Sequence, residues 1–192
     1  TGVDAITLLA RYRKKVCCYN DDIQGTAGVT LAGLINAMKK TGGLLKDQKI
    51  FFVGAGSAAI GLADLIVSSL AKDGIIPEKS RSQIRMFDTE GIVTKRRPNL
   101  AMHKLPYAHD LNISENFDHK DLDEEIPVLI KEIEDFKPNI LIGVSTVGKL
   151  FDQRVVECMS KYNDKPIIFA LSNPTIKHEC IPEDTYRWSN EK

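Results

Sequence analysis

The 192-residue sequence predicts an α/β protein: a doubly wound, mainly parallel sheet with helices on both faces. Three observations carry this prediction. Short apolar runs bounded by turn residues recur, stretches with helical spacing separate them, and the connections between are short. The length suits one full-sized domain with a buried core and leaves little room for two.

In order, Asp4 to Arg13 reads as a helix, followed by a short apolar step from Val16 to Tyr19. Gln24 to Lys40 carries Val29, Ala32, Gly33, Ile35, Asn36 and Ala37 in a mixed pattern. Its small residues suit a closely packed helix, and Gly42-Gly43 stops it. Lys49-Ile50-Phe51-Phe52-Val53 is a buried parallel strand between turn signals. Ser57 to Lys72 is a long helix with Ile60, Ala63, Asp64, Val67 and Leu70 on one face, ended by Asp73-Gly74. A loop through Gly74 to Ser82 leads to a second strand, Ile84 to Phe87, closing on Asp88. Residues 90–120 are polar and read as irregular. Ile126 to Phe136 is helical, Asn139 to Val144 a third strand, Asp152 to Tyr162 a helix, and Pro166 to Leu171 a fourth strand. That strand runs into Ser172-Asn173-Pro174. No further strand, internal repeat or low-complexity segment is read.

Lys plus Arg equals Asp plus Glu at 26 each, so no basic field exists to hold nucleic acid or an anionic membrane surface. No apolar run approaches the roughly 20 residues needed to cross a bilayer. Cys17, Cys18, Cys158 and Cys180 form no C-x-x-C pair and read as reduced thiols of an intracellular protein, cytoplasmic or mitochondrial alike. His103, His109, His119 and His178 lack ligand spacing and read as solvent-exposed. The acidic stretch from Asp118 to Glu125 reads as a solvated helix start, and Trp188 suits core or interface equally.

Chemistry enters at Gly54-Ala55-Gly56-Ser57-Ala58-Ala59, between the first strand and the long helix. Gly54 permits the tight turn, Gly56 lets backbone approach a pyrophosphate, and Ala59 keeps helix and strand close. The free N–H groups opening the helix then face the anion. With a strand before and a helix after, this is the Rossmann-type arrangement for binding a dinucleotide. Asp88, at the end of the next strand, is placed to accept hydrogen bonds from the adenosine ribose, although it falls later than the usual spacing. Beyond it, Lys95, Arg96, Arg97 and Lys104 read as solvated loop charge, unless a 2′-phosphate recruits them. In Asn20-Asp21-Asp22-Ile23-Gln24, the carboxylates serve either as helix N-caps or as a pair with separate jobs, one on a hard divalent cation and one orienting a catalytic group.

Three segments are distinctive together: Tyr19-Asn20-Asp21-Asp22-Ile23-Gln24-Gly25-Thr26-Ala27, Phe52-Val53-Gly54-Ala55-Gly56, and Phe169-Ala170-Leu171-Ser172-Asn173-Pro174-Thr175. In order and spacing they resemble the malic enzyme family over essentially the whole chain. The resemblance implies oxidation of L-malate with NAD or NADP and decarboxylation of the resulting oxaloacetate to pyruvate and carbon dioxide, with Mg²⁺ or Mn²⁺ on the substrate. It further implies that Asp22 is a metal ligand and that Asp21 orients the catalytic lysine. Gly54, Ala55, Gly56, Ser57, Ala58 and Ala59 would cradle the pyrophosphate, and Asp88 would meet the ribose. Gly143, Val144 and Ser145 would lie on the nicotinamide side, and Asn173 would contact substrate or the nicotinamide ribose.

By the same resemblance, residues 1–23 would close the substrate domain and carry the metal-ligand segment, and 24–192 would form the NAD(P)-binding domain. The family's catalytic tyrosine and lysine, its other two metal carboxylates and its remaining substrate asparagines have no counterpart here. The piece alone is therefore expected to be inactive, and the full protein to be a homo-oligomer. Counted from Asp88 without gaps, Lys104 falls where NADP-using members resemble one another in carrying a lysine, three residues before Tyr107. Thr89 adds a hydroxyl beside Asp88, so the expectation leans to NADP over NAD. The alternatives are the cofactor domain of an amino-acid dehydrogenase and a non-catalytic nucleotide-binding module.

Overall fold

A computed structural model describes residues 2–114 and 121–192. Its centre is a five-stranded sheet in the order β3-β2-β1-β4-β5. The strands are β1 (Ile50–Val53), β2 (Ile84–Asp88), β3 (Gly91–Ile92), β4 (Ile140–Gly143) and β5 (Ile167–Ala170). β1 pairs in parallel with β2 (Val53 opposite Phe87) and with β4 (Val53 opposite Gly143), and β4 pairs in parallel with β5. Only β3 runs antiparallel, folding back on β2 through a tight turn.

All four residues of β1 and of β4 are buried, which explains why both read as unbroken apolar runs rather than alternating ones. Alternate side chains nevertheless serve different faces. Ile50 and Phe52 pack with α2 (Thr26–Thr41) and α3 (Ser57–Lys72). Phe51 and Val53 pack with α5 (Leu122–Phe136) and α6 (Gln153–Tyr162). The doubly wound fold class is thus observed. Because the chain leaves β1 for β2 on one side and returns to β4 on the other, the carboxyl ends of β1 and β4 bound a crevice at the switch point, where such sheets bind ligands.

Several expectations need correcting. Gln24 is not the first helical residue: Asp21–Gly25 forms a wide π turn that runs straight into α2. The buried face of α2 is Ala27, Thr30, Leu31, Leu34 and Met38, while Val29 and Ile35 face outward. Gly33 earns its smallness elsewhere, since a Cβ there would stand 3.2 Å from the Phe169 ring of β5. On α3, Asp64 lies off the buried face and accepts the Tyr107 hydroxyl at 2.6 Å. The stretch through Ser82 contains α4 (Pro77–Ser82), started by a proline at its first turn.

Residues 90–120 are not wholly irregular, for they hold β3 and a 3₁₀ turn at Met102–Tyr107. They read as irregular because β3 spans only two residues and a proline interrupts the 3₁₀ turn. None of the three described histidines is fully exposed: His103 and His178 are half-buried, as is His109, whose Nε2 lies 2.7 Å from the Ile84 carbonyl and whose pKa burial holds below the usual value. His119 and Asp118 lie outside the described residues, whereas Asp121 caps α5 through the amides of Asp123 and Glu124. Val16 and Tyr19 are exposed. The first helix is α1 (Gly2–Tyr12), and a helix that was not foreseen, α7 (Pro182–Trp188), follows β5, with Trp188 half-buried. All four cysteines are free. Among the described residues, no helix is long and apolar enough to cross a membrane.

Candidate dinucleotide site

The crevice at the switch point is a cavity of about 280 Å³, lined by the ends of β1, β2 and β4 and the loops that follow them. Its floor is the Gly54-Ala55-Gly56 turn. Gly54 sits at φ +114°, a conformation that L side chains resist, and a Cβ there would come within 2.7 Å of the Val144 carbonyl carbon. The fold itself therefore demands glycine at this position. Gly56 is different: its φ is −85°, and a Cβ would meet nothing within 4 Å. What glycine keeps open there is the cavity. Ala59 is fully buried, and α3 begins at Ser57 without any side-chain cap on its first amides; the cavity lining on this side ends at Gly56, with Ser57, Ala58 and Ala59 just beyond it.

Asp88 marks one end of the cavity, and Thr89 lines it beside Asp88. One Asp88 oxygen accepts from Arg97 Nη1 and from the Glu90 amide, both at 2.9 Å; the other accepts from Lys104 Nζ at 2.6 Å. Burial alone would raise the Asp88 pKa. The Lys104 hydrogen bond, the Glu90 amide and the charges of Lys104 and Arg97 outweigh it, so the pKa falls below the ordinary carboxylate value. Arg97 is no solvated loop charge. Its side chain is 3% exposed, and it also donates to the carbonyls of Gly91 and Ile92. Lys95 and Arg96 do face solvent.

Val144, Ser145 and Thr146 form the opposite wall. Behind them lies a residue that the sequence reading missed, Glu179, with no exposed surface. It accepts from the amide and hydroxyl of Ser145 at 3.1 and 3.0 Å, and from the amide and hydroxyl of Ser172. A Cβ on Gly143 would collide with the Glu179 side chain. A glycine inside an apolar strand is the signal that could have revealed such close approach. Asn173, next to Ser172, is exposed.

Asp21 and Asp22 stand apart from capping. Asn20 caps the turn, accepting from the Ile23 amide at 2.9 Å while Gln24 Oε1 accepts from the Asn20 amide at 3.1 Å. The Ile23 backbone packs on α3 at Gly61, where a Cβ would lie 2.8 Å from the Ile23 carbonyl oxygen. This seats the acidic turn on the helix that opens at the crevice, with both carboxylates exposed. Among the described residues, no group of three or more His, Cys, Asp or Glu side chains could hold a metal ion. Octahedral Mg²⁺ needs more ligands than this turn offers, so these residues alone do not fit a closed metal centre.

A family model for the NAD-binding domain of malic enzyme matches residues 23–192. The chain belongs to the malic enzyme family. It is 42% identical over 186 residues to the NADP-dependent malic enzyme of Rattus norvegicus and equally so to that of Homo sapiens, covering 97% of this chain and 30% of each relative. A chloroplastic NADP-dependent malic enzyme of Solanum lycopersicum is 43% identical over 188 residues, covering 97% of this chain and 31% of that one. Among solved structures, the malic enzyme of Entamoeba histolytica superposes with a TM-score of 0.64 at 26% identity, over 91% of this chain and 32% of that one. The NAD-dependent malic enzyme of Thermotoga maritima reaches a TM-score of 0.70 at 23% identity, over 96% and 43%, a likeness of fold. The chain thus spans about 30% of the length of the curated relatives it matches. It is a malic enzyme NAD-binding domain, and the amino-acid dehydrogenase alternative is not favoured.

Proposed function

We propose that the full-length protein oxidises L-malate and decarboxylates the product to pyruvate and carbon dioxide, with NADP in the crevice. The observation that carries this reading is the Gly54–Gly56 turn, which lines the cavity together with Val144 to Thr146 and leads directly into α3, a helix with no side-chain cap. Gly54, Ala55, Gly56, Ser57, Ala58 and Ala59 would hold the pyrophosphate on backbone amides, with Gly56 leaving the room it requires. Gly143, Val144 and Ser145 would present backbone to the nicotinamide half, and Asn173 would reach the nicotinamide ribose or substrate. When bound, the nicotinamide ring supplies the hydride acceptor for the oxidation.

The preference for NADP rests on the cations around Asp88. Alone, that carboxylate would repel a 2′-phosphate; flanked by Lys104 and Arg97, its charge is already compensated, with Glu90 sharing the Arg97 guanidinium at 3.8 Å. Lys104 is the cation that can turn toward a phosphate, because Arg97 is held by two backbone carbonyls. Thr89 would add a hydroxyl.

Asp22 is proposed as one carboxylate of several around Mg²⁺ or Mn²⁺, and Asp21 as the group orienting a lysine. Residues 1–23 are assigned to the substrate-side segment and 24–192 to the cofactor domain. The compartment proposed is intracellular, and the assembly a homo-oligomer, which sedimentation of the full-length protein would check. The functional reading is tested by titrating NADP and NAD into the full-length protein and assaying it with malate and Mn²⁺. Malate-dependent reduction of NADP is expected; saturable NADP binding without malate turnover would instead favour a nucleotide-binding module.

A further inference from the structure

We infer that Glu179 is a positioning residue for the nicotinamide half of the cofactor, a reading that rests on the proposed dinucleotide site. Glu179 touches neither the cavity nor solvent. It joins two segments on different strands: Ser145, following β4, and Ser172, following β5. Each serine hydroxyl donates to Glu179 and accepts one amide, from Val147 at 3.1 Å on Ser145 and from Thr146 at 2.8 Å on Ser172. The hydroxyls therefore have fixed directions, and the carboxylate sets both.

The loop so held is strained. Thr146 lies at φ +62° and Lys149 at +62°, in a region that β-branched threonine rarely enters. Such a backbone persists only where its surroundings over-determine it. For Thr146, the restraint in view is the Ser172 hydroxyl, itself aimed by Glu179. Ser145 and Thr146 both line the crevice on the β4 side, away from Asp88. In a doubly wound sheet the two nucleotide halves bind on opposite sides of the switch point. The carboxylate thus shapes the wall of one half only.

The test uses the full-length enzyme, with Glu179→Gln and, separately, Ser172→Ala. Gln keeps the shape but turns an amide N–H₂ toward one of the donors that Glu179 now satisfies; Ala removes the hydroxyl that holds the Thr146 amide. Calorimetry compares NADP with adenosine 2′,5′-bisphosphate, which occupies only the adenosine side. In either variant the Kd for NADP is expected to rise about tenfold, the scale of one lost charge-assisted hydrogen bond. The bisphosphate Kd should change less than about twofold. Equal losses for both ligands would mean a general structural role, and no loss for either would mean no role; each overturns the inference. Failure of wild-type enzyme to bind NADP would instead strike the dinucleotide reading beneath it.

Discussion

Lys104 sets its ammonium 2.6 Å from Asp88, whose other carboxylate oxygen is already held by Arg97. The lysine is partly exposed and the arginine is not, so the two cations are unequal partners. Lys104→Gln should therefore weaken NADP binding roughly ten- to a hundredfold and leave NAD nearly unchanged. Calorimetry with both cofactors on wild type and mutant measures this; an unaltered NADP-to-NAD ratio would show that Lys104 does not choose between them.

Asp88 also carries an acid dependence. Its folded pKa lies below the unfolded value, so its contribution to stability is present at neutral pH. That contribution is lost as pH falls from the ordinary carboxylate range through the depressed value. Asp88→Asn, which leaves the buried Arg97 with only the longer 3.8 Å pairing to Glu90, should cost about 1–3 kcal/mol at pH 7. Melting curves of the two proteins should converge as the pH is lowered toward 3; a gap that stayed constant would remove the assignment.

The two glycines of the turn should fail in opposite ways. Gly54→Ala meets the Val144 carbonyl at a positive φ and should destabilise the fold by at least roughly 1–3 kcal/mol. Gly56→Val enters open space, so the melting temperature should hold while dinucleotide binding falls below detection. Unchanged binding in the valine variant would defeat the cradle reading.

At the acidic turn, stability separates capping from function. Asn20→Ala should cost about 1 kcal/mol by removing the cap. Asp22→Asn should shift stability by less than about 0.5 kcal/mol, because the side chain is exposed. Denaturant titration of both variants decides it, and a larger loss at Asp22 would restore the carboxylate as a cap. In the full-length enzyme the same Asp22 variant should need more Mn²⁺ for half-maximal activity, and Asp21→Asn should lower turnover with less change in that requirement.

What was legible in the sequence was what local pattern determines. β1 and β4 declared themselves because parallel strands covered on both faces are apolar throughout, β2 and β5 because short, mainly apolar runs end at turn residues, and the Gly54 turn because strand, glycines and helix are contiguous. The buried face of α2 was not, since small residues lie all round that helix and only contact with α3 and β5 selects a side. Arg97 looked like its solvated neighbours Lys95 and Arg96, and nothing local marks it as the one turned inward. Glu179 was hidden for the same reason: its donors are 34 and 7 residues away, in a fold where the ends of β4 and β5 meet. Positions in the site were legible as motif, while the charges and carboxylates bracing them depend on tertiary approach.

The bonds from Arg97 to Gly91 and Ile92 bear on the outer edge of the sheet. β3 is the terminal strand, and an edge strand invites pairing with another chain. Here the strand is two residues long, and both its carbonyls already accept from a guanidinium with almost no exposed surface. Consecutive carbonyls of a strand point to opposite sides, so an incoming strand would meet the Ile92 side, where the carbonyl is held by Arg97 and the amide by the Ser114 hydroxyl at 2.7 Å. The arginine beside the cofactor carboxylate thus shares the closing of that margin with the His109 to Ser114 segment, and a variant lacking it should be judged for solubility as well as for binding.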